Sequence, residues 1–254
     1  MSDAVDRIAE MILAARRIVV FTGAGISTES GIPDFRSPGG IWSKYDPEDY
    51  TYQRFVSSEA ARKKYWRMST EFYDALKSVR PNPAHEAVAE LERMGKLDCV
   101  ITQNIDGLHQ LAGSSPERII ELHGTARFAS CLRCKKVYER EVVQQRIAEG
   151  DHAPLCDACN GFLKPATISF GQAMPEKETS EAIRLSTACD LFIVIGSSLV
   201  VQPAASMPVL AKEKGADLVI INRDPTSVDH LADVVSRDAV GRVMPKILQK
   251  LRRS

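Results

Sequence analysis

Four short stretches of the chain are apolar on both faces and rich in β-branched residues. They are residues 17–21, 98–101, 191–195 and 218–221. Apolar runs of this length, without alternation of polar and apolar positions, are typical of strands buried inside a parallel sheet. The pattern therefore predicts four strands of one parallel sheet.

Helical patterns lie between and around these stretches. Apolar residues share one face of an opening helix at Val5, Ile8, Ile12 and Leu13. Asn82 and Pro83 are typical of a helix start, and Gly95 is typical of a helix end. Residues 207–214 and 240–251 also show a helical pattern. Strands that alternate with helices predict an α/β fold with a doubly wound parallel sheet.

Each predicted strand runs directly into a polar or glycine-rich segment. These segments are residues 22–25, 102–104, 196–198 and 222–224. In open α/β sheets, ligands bind outside the carboxyl ends of the strands. We therefore expect the four segments to meet there and to form a binding site.

Composition and charge exclude several classes of protein. The chain has 254 residues, 33 basic against 33 acidic side chains, 44% hydrophobic residues and 26% charged residues, which is typical of a globular protein and not of a disordered one. The zero net charge argues against direct nucleic-acid binding as the main role. No apolar run is long enough for a membrane span, and acidic residues stand where a signal peptide has basic ones. We expect a cytoplasmic protein, or a nuclear one if its source has a nucleus.

Two regions interrupt the alternation of strands and helices. Residues 125–165 are cysteine-rich, polar and strand-poor, which predicts a small inserted module. Residues 37–80 contain aromatic residues and helical patches without a clear strand, which predicts a flap of helices and loops within the large domain. The large domain would then comprise residues 1–124 and 166–254.

Two Cys-x-x-Cys pairs lie in the inserted module, with 21 residues between them. Their members are Cys131, Cys134, Cys156 and Cys159. Four thiolates arranged as two such pairs can surround one zinc ion, and a site filled by four sulfurs is structural. A redox-active pair and an iron–sulfur cluster are alternatives, and disulfides are disfavoured in a reducing compartment. Cys99 and Cys189 lie in or beside apolar segments and are interpreted as inert.

The first predicted strand ends in a glycine turn at residues 22–27, which we expect to open a helix. Such a turn lets the backbone approach a pyrophosphate at a helix N-terminus. The full dinucleotide-binding fingerprint is absent, because Thr28 stands at the position of its third glycine. From these residues alone, a nucleotide site and a plain strand-to-helix turn both stay open.

Further motifs follow in a fixed order: residues 31–36, 102–106, 123–124, the paired cysteines, 196–198 and Asn222. Together with residues 23–27, this series resembles the sirtuin family, the NAD-dependent protein lysine deacylases. The resemblance extends from about residue 17 to residue 240. It implies a Rossmann-like domain, a small zinc-ribbon domain carrying one structural zinc, and a cleft that takes NAD as co-substrate and an acyl-lysine peptide.

The resemblance also implies an activity. It is the removal of acetyl or other neutral acyl groups from protein lysines, with nicotinamide and O-acetyl-ADP-ribose as products. Acetylated protein lysines would be the substrates, and an acetylated DNA-binding protein is a candidate by family analogy. The chain lacks, between residues 59 and 80, the Tyr-x-x-Arg pair of relatives selective for succinyl or malonyl groups, which favours a neutral acyl group.

Roles for individual residues follow from the same resemblance. The implied catalytic residues are His123 as general base, with Asn104 and Asp106. The implied cofactor-binding residues are Gly23, Ala24, Gly25, Ile26, Ser27, Ile32, Pro33, Asp34, Phe35, Arg36, Trp42, Gln103, Asn104, Ile105, Asp106, Gly196, Ser197, Ser198, Asn222, Arg223, Asp224 and Val240. The implied substrate-binding residues are Ile168, Phe170, Gly171, Val200 and Val201. Gln172 departs from the family pattern, because many relatives have glutamate there.

Two alternatives use the same motifs. One is an NAD-dependent protein ADP-ribosyltransferase, and the other is a non-catalytic NAD sensor. His85 and His109 lie on helical patterns outside the motifs and are interpreted as structural or surface histidines.

Overall fold

The computed structural model describes residues 2–35 and 37–253, which form a six-stranded and a three-stranded sheet. The strands are β1 (Ile18–Thr22), β2 (Leu97–Thr102), β3 (Ile119–Glu121), β4 (Gly124–Cys131), β5 (Val137–Glu139), β6 (Leu163–Thr167), β7 (Leu191–Ile195), β8 (Asp217–Ile221) and β9 (Val234–Ser236).

Ten α-helices accompany the sheets in the described residues. They are α1 (Ser2–Ala14), α2 (Ile41–Lys44), α3 (Tyr52–Ser57), α4 (Glu59–Ser78), α5 (Pro83–Arg93), α6 (Leu108–Leu111), α7 (Arg140–Ala148), α8 (Glu176–Ser186), α9 (Met207–Glu213) and α10 (Val240–Leu251). The predicted helices at the start of the chain, after Asn82, and near residues 207 and 240 are confirmed. Leu13, assigned to the buried face of the first helix, is 40% exposed. None of the helices described is long and apolar enough to cross a membrane.

The six-stranded sheet has the order β3-β2-β1-β7-β8-β9, and all of its strand pairs are parallel. After β1, the chain forms β2 and β3 on one side of β1, and it later returns to the other side of β1 as β7. The boundary between β1 and β7 is therefore a topological switch point of the sheet. The four predicted strands occupy the centre of this sheet. The edge strands β3 and β9 were missed, because three residues are too few to carry a recognisable pattern.

Helices cover both faces of the parallel sheet. In β1, Ile18 and Val20 join a core with side chains of α1, α5 and α10, whereas Val19 and Phe21 join a second core with side chains of α8 and α9. Successive residues of a strand point to opposite faces, so both faces must be apolar to be buried. The predicted doubly wound α/β fold is confirmed.

The three-stranded sheet is antiparallel, with the order β5-β4-β6. It lies where the sequence predicted a strand-poor region, so that prediction was wrong. The central strand β4 buries Thr125, Ala126, Ala129 and Cys131, of which only Thr125 is β-branched, so the β-branched signature of a strand is weak. Its pairing with two neighbours, and not its own propensity, makes it a strand.

The aromatic residues of the flap pack on this small sheet. Tyr50, Phe55, Tyr65 and Trp66 share one core with residues of β4, β6 and α7 and with two of the paired cysteines. Trp66 also donates a hydrogen bond from Nε1 to the carbonyl oxygen of Leu163, at 3.2 Å. Helix α4 is therefore fixed to the three-stranded sheet.

The glycine turn after β1 packs backbone to backbone against the turn after β7. The Gly25 N–H donates to the Gly196 carbonyl at 2.8 Å, and Gly196 has a φ of +63°. A Cβ on Gly196 would lie 2.2 Å from the Ile26 nitrogen. The expected helix after this turn is replaced by two 3₁₀ turns, Ala24–Ile26 and Thr28–Ser30, and Gly31 ends the second with a φ of +94°.

We predict that Gly196→Ala destabilises the protein more than Gly215→Ala. Both glycines have a positive φ, which costs an alanine about 1–2 kcal/mol, but a Cβ on Gly215 meets nothing within 4 Å. Overlap with the turn after β1 adds about 1–3 kcal/mol for Gly196. Equilibrium denaturation measures both losses, and equal losses would contradict the close packing of the two turns.

Candidate active site

The carboxyl ends of the four central strands open into one cavity of about 1040 Å³. Gly23 follows β1, Gln103 follows β2, Gly196 follows β7 and Asn222 follows β8, and all four line the cavity. The polar segments that the sequence predicted to meet at this edge therefore do so.

Most of the predicted site residues line this cavity. They are Gly23, Ala24, Gly25, Ser27, Ile32, Pro33, Asp34, Phe35, Trp42, Gln103, Asn104, Ile105, Asp106, His123, Ile168, Phe170, Gly171, Gly196, Ser197, Ser198, Val201, Asn222, Arg223, Asp224 and Val240. Two others lie elsewhere: Ile26 is fully buried in the core, and Val200 is 62% exposed outside the described cavity wall. Arg36 lies outside the described residues.

Ser27 is the centre of a hydrogen-bond network in the cavity floor. Its hydroxyl donates to Asp106 Oδ2 at 2.7 Å and accepts from Asn104 Nδ2 at 3.1 Å. Asn104 Nδ2 also donates to the Gly23 carbonyl at 3.1 Å, and Asp106 Oδ1 accepts from the Leu108 N–H at 2.9 Å. Asp106 therefore acts as an acceptor on both oxygens, and Asn104 keeps its side-chain oxygen for another donor.

Two buried histidines, His85 and His109, lie next to this network. The Nδ1 of His85 accepts from the Asn82 N–H at 3.4 Å, so its Nε2 is the protonated nitrogen that faces Ser27 Oγ at 3.4 Å. His109 Nε2 lies 3.0 Å from Thr22 Oγ1, and the two imidazole rings are 5.1 Å apart. These residues were interpreted as structural or surface histidines, and the structure places both in the interior.

Burial determines the charge of these groups. It lowers the pKa of His85 to about 4, and burial together with His85 lowers the pKa of His109 to about 3. Both histidines are therefore neutral at pH 7. Burial also raises the pKa of Asp106, although hydrogen bonds from Leu108 and Ser27 oppose that shift.

His123 lies at the junction of the two sheets, between β3 and β4. Its Nδ1 is 3.1 Å from the Gln103 carbonyl oxygen, which can only accept, so Nδ1 carries the proton. The lone pair of Nε2 is then available to take a proton. Burial lowers the pKa of His123 below the ordinary 6.5, and the bond to Gln103 opposes this shift.

Trp42 contacts both Phe35 and Phe170, and all three rings line the cavity. The ring centroids of Trp42 and Phe35 are 5.5 Å apart, and those of Trp42 and Phe170 are 6.0 Å apart. Gln172, the departure from the family pattern, accepts a hydrogen bond on Oε1 from the Ser169 N–H at 3.2 Å. The glutamine therefore closes the turn that carries Phe170.

One wall of the cavity was not predicted from the sequence. It is formed by the inner face of α4 and includes Met68, Phe72, Leu76 and, just after the helix, Val79. These apolar residues recur every three to four positions, so their helical periodicity could have identified a shared face. What the sequence did not show is that this face borders the cavity.

The four paired cysteines form one cluster in the small sheet. Their sulfurs all lie within 4.8 Å of one another, with 3.5 Å between Cys131 and Cys159 and 3.6 Å between Cys134 and Cys156. Four sulfurs at about 2.3 Å from a tetrahedral zinc ion are about 3.8 Å apart. The cysteines are therefore positioned to bind one zinc ion, as predicted, and all four are free thiols.

Gly161 contributes to the shape of this cluster. A Cβ at Gly161 would lie 2.8 Å from Cys131 Sγ and 3.2 Å from Cys159 Sγ. The Cys156 N–H donates to the Gly161 carbonyl at 2.8 Å, which closes the loop around the sulfurs. Because four thiolates fill a tetrahedron, the zinc would stabilise the module and leave no position for a reacting ligand.

Comparisons with known proteins agree with this architecture. A family model described as the Sir2 family matches residues 23–203. The chain is 51% identical over 240 residues to the NAD-dependent protein deacetylase 1 of Bradyrhizobium diazoefficiens, a match that covers 94% of this chain and 93% of the relative.

Solved structures show the same likeness over almost the whole chain. A Sir2 structure with a deacetylated p53 peptide and 3′-O-acetyl ADP ribose is 39% identical, with a TM-score of 0.90, over 97% of this chain and 98% of the other. A structure of Sir2 with a p53 peptide and NAD⁺ is 37% identical, with a TM-score of 0.88, over 98% of this chain and 99% of the other.

We predict that the purified protein carries about one zinc per chain, and that Cys156→Ser loses the metal and unfolds at a lower temperature. Elemental analysis and thermal unfolding measure the two effects. Cys189→Ser is the matched control, because Cys189 is buried outside the cluster and donates only to the Ser186 carbonyl. Metal-free protein with unchanged thermal stability would refute a structural zinc.

Proposed function

The chain belongs to the Sir2 family, and from this membership we propose that it removes acetyl or other neutral acyl groups from protein lysines in an NAD-dependent reaction. The products are nicotinamide and O-acetyl-ADP-ribose. The observation that carries the proposal is that Asn104, Asp106 and His123 meet in one cavity with the glycine turn after β1. The family model and the similar relatives confirm the sirtuin resemblance found in the sequence.

We propose that the cavity takes NAD and a second ligand together. Its volume of about 1040 Å³ slightly exceeds the range of about 300–1,000 Å³ found for small-molecule sites. Gly25 and Gly196 both line the cavity, and neither could carry a side chain, because a Cβ on either would overlap the backbone of the other turn. When bound, NAD supplies a nicotinamide leaving group and a ribose carbon that accepts the acyl oxygen.

We assign Asn104 and Asp106 to the nicotinamide and ribose end of the dinucleotide. Asp106 offers carboxylate oxygens to the nicotinamide amide, and Asn104 offers its side-chain oxygen to a ribose hydroxyl or a water molecule. Ser27 holds both side chains through the bonds at 2.7 Å and 3.1 Å. The floor is therefore oriented before ligands arrive.

His123 is the proposed general base. Its Nδ1 proton is held by the Gln103 carbonyl, and its Nε2 accepts the proton of a ribose hydroxyl. We propose that Phe35 and Trp42, whose rings contact each other and line the cavity, shield the activated sugar from water, which would otherwise compete for it.

The peptide is proposed to lie between the turn at Ile168–Gly171 and the segment at Val200–Val201. Phe170 and Val200 are exposed there, and pairing through the backbone would give affinity with little dependence on sequence. The apolar residues of α4 that line the cavity favour a neutral acyl group over a charged one. On the family resemblance alone, we further propose that an acetylated DNA-binding protein is among the substrates.

Two broader assignments belong to the same proposal. One is the division into a large domain of residues 1–124 and 166–254 and an inserted module of residues 125–165, supported by the separate sheets, with the 37–80 flap packed on the inserted module. The other is a cytoplasmic location, supported by four thiols that must stay reduced to bind zinc.

We predict that an acetyl-lysine peptide loses its acetyl group only when NAD is present, with O-acetyl-ADP-ribose detected by mass spectrometry. His123→Ala should lower the rate at least about 100-fold, because the base is removed, while thermal unfolding shows a folded protein. His152→Ala is the control, since His152 is an exposed histidine of the inserted module.

Full turnover by the His123→Ala variant would refute the assignment of the base. Labelled NAD tests the transferase alternative, because radioactivity that stays on protein reports ADP-ribosylation. A peptide that stays acetylated while label is transferred would replace the deacylase proposal by that alternative.

The pH dependence follows from the pKa of His123. The base must be neutral, and burial lowers the pKa of His123 below 6.5, so more than half of the imidazole is neutral at pH 6.5. We predict that kcat/KM for NAD keeps more than half of its plateau value at pH 6.5 and reaches its half-maximal value only at lower pH. A pH profile at constant ionic strength measures this, and an acid limb centred above pH 6.5 would contradict the assignment.

A further inference from the structure

The loop between β8 and β9 forms the far end of the cavity. Asn222, Arg223 and Asp224 line the cavity from this loop, and residues 238–240 line it from the segment after β9. Arg237 lies between the two segments in sequence and is not among the described residues that line the cavity. Arg237 therefore lies outside the lining of the cavity and supports the residues that form it.

Arg237 joins three parts of this loop through one guanidinium group. Its Nη1 donates to the Asn222 carbonyl at 3.0 Å and to the Asp224 carbonyl at 2.9 Å, and its Nη2 forms an ion pair with Asp229. Asn222 Nδ2 also donates to the Asp224 carbonyl, at 2.8 Å. The backbone that carries the cavity-lining side chains is thus held from behind by a planar set of donors.

Asp229 is itself fixed within the loop. It accepts from the Thr226 N–H at 3.0 Å and from the Thr226 hydroxyl at 2.8 Å. Burial alone would raise the pKa of Asp229, but these bonds and Arg237 lower it, so the carboxylate is charged at neutral pH. The side chain of Arg237 is 38% exposed and that of Asp229 is 23% exposed. The pair is therefore partly shielded from solvent.

We propose that Arg237, oriented by Asp229, is a positioning residue for NAD that sets the affinity of the cavity for the end of the dinucleotide remote from nicotinamide. This inference rests on the proposed function, because it assumes that the cavity binds NAD. Arg237 acts through the Asn222–Asp224 backbone and makes no contact with the ligand itself.

The sheet order places this effect away from the reacting groups. Strand β8, which leads into the loop, is separated by β7 and β1 from β2, which leads into Asn104. Three strand spacings amount to about 14 Å. An interaction so far from the reacting carbon stabilises the bound ground state and the transition state equally, which changes KM without changing kcat.

The experiment compares Arg237→Met, Arg237→Lys, Asp229→Ala and the double variant Arg237→Met/Asp229→Ala with the unmodified protein. The probe is ADP-ribose, whose Kd is measured by calorimetry, and the KM for NAD and kcat are measured with an acetyl-lysine peptide. Arg242→Met is the matched control, because Arg242 is an exposed arginine of α10.

We expect Arg237→Met to raise the Kd for ADP-ribose and the KM for NAD by roughly tenfold, with kcat and the KM for peptide unchanged within about twofold. Arg237→Lys should give a smaller rise, because one ammonium group cannot serve two carbonyls and a carboxylate in the same plane. Because Arg237 and Asp229 act as a unit, the double variant should bind ADP-ribose no more weakly than the weaker-binding of the two single variants.

Three results would overturn the inference: an unchanged Kd for ADP-ribose in Arg237→Met, a fall in kcat as large as the rise in KM, or the same changes in Arg242→Met. Thermal unfolding identifies a variant that fails to fold. If Arg237→Met is such a variant, the Kd of Arg237→Lys for ADP-ribose tests the inference instead. If the unmodified protein itself does not bind ADP-ribose, the proposed function fails, which separates that failure from an error in the role of Arg237.

Discussion

The close contact between the Gly25 and Gly196 backbones is the constraint on which the site depends. It joins the turn after β1 to the turn after β7 at the switch point of the parallel sheet, through a 2.8 Å hydrogen bond. Because neither turn carries a side chain at the contact, the two halves of the sheet open into one cavity. The residues that follow β2 and β8 then share this cavity.

The hydrogen bonds around Ser27 have a fixed direction. A hydroxyl has one proton, and that of Ser27 points to Asp106, so Asn104 and His85 must act as donors. Burial keeps both imidazoles neutral, so each has one N–H to donate. Burial also raises the pKa of Asp106, and the hydrogen bonds that it accepts from Leu108 and Ser27 oppose that rise. The pKa values of the titratable groups around Ser27 are therefore shifted mainly by the burial of their side chains.

The sequence predicted the parts of the fold that depend on local pattern and missed those that depend on pairing or packing. The four central strands were recognisable because both of their faces are apolar, whereas β3 and β9 are too short and β4 buries mainly alanine and cysteine. The motifs located the cavity, but a motif does not tell which of its side chains turns toward the core, as Ile26 does. The wall contributed by α4 depends on how the flap packs, which no local pattern reveals.

The core shared by the flap and the cysteine module has a consequence for how the protein folds. Tyr65 and Trp66 of α4 pack against Cys131, Cys156 and Leu163, although strands β2 and β3 of the parallel sheet lie between the two segments in sequence. An excised insert would lose these apolar partners and expose its interior to water. We therefore expect that the insert does not fold on its own and that the cooperative folding unit is discontinuous along the chain. Helix α4 packs on this module and also forms a wall of the cavity. Zinc binding should therefore be coupled to the ordering of that wall.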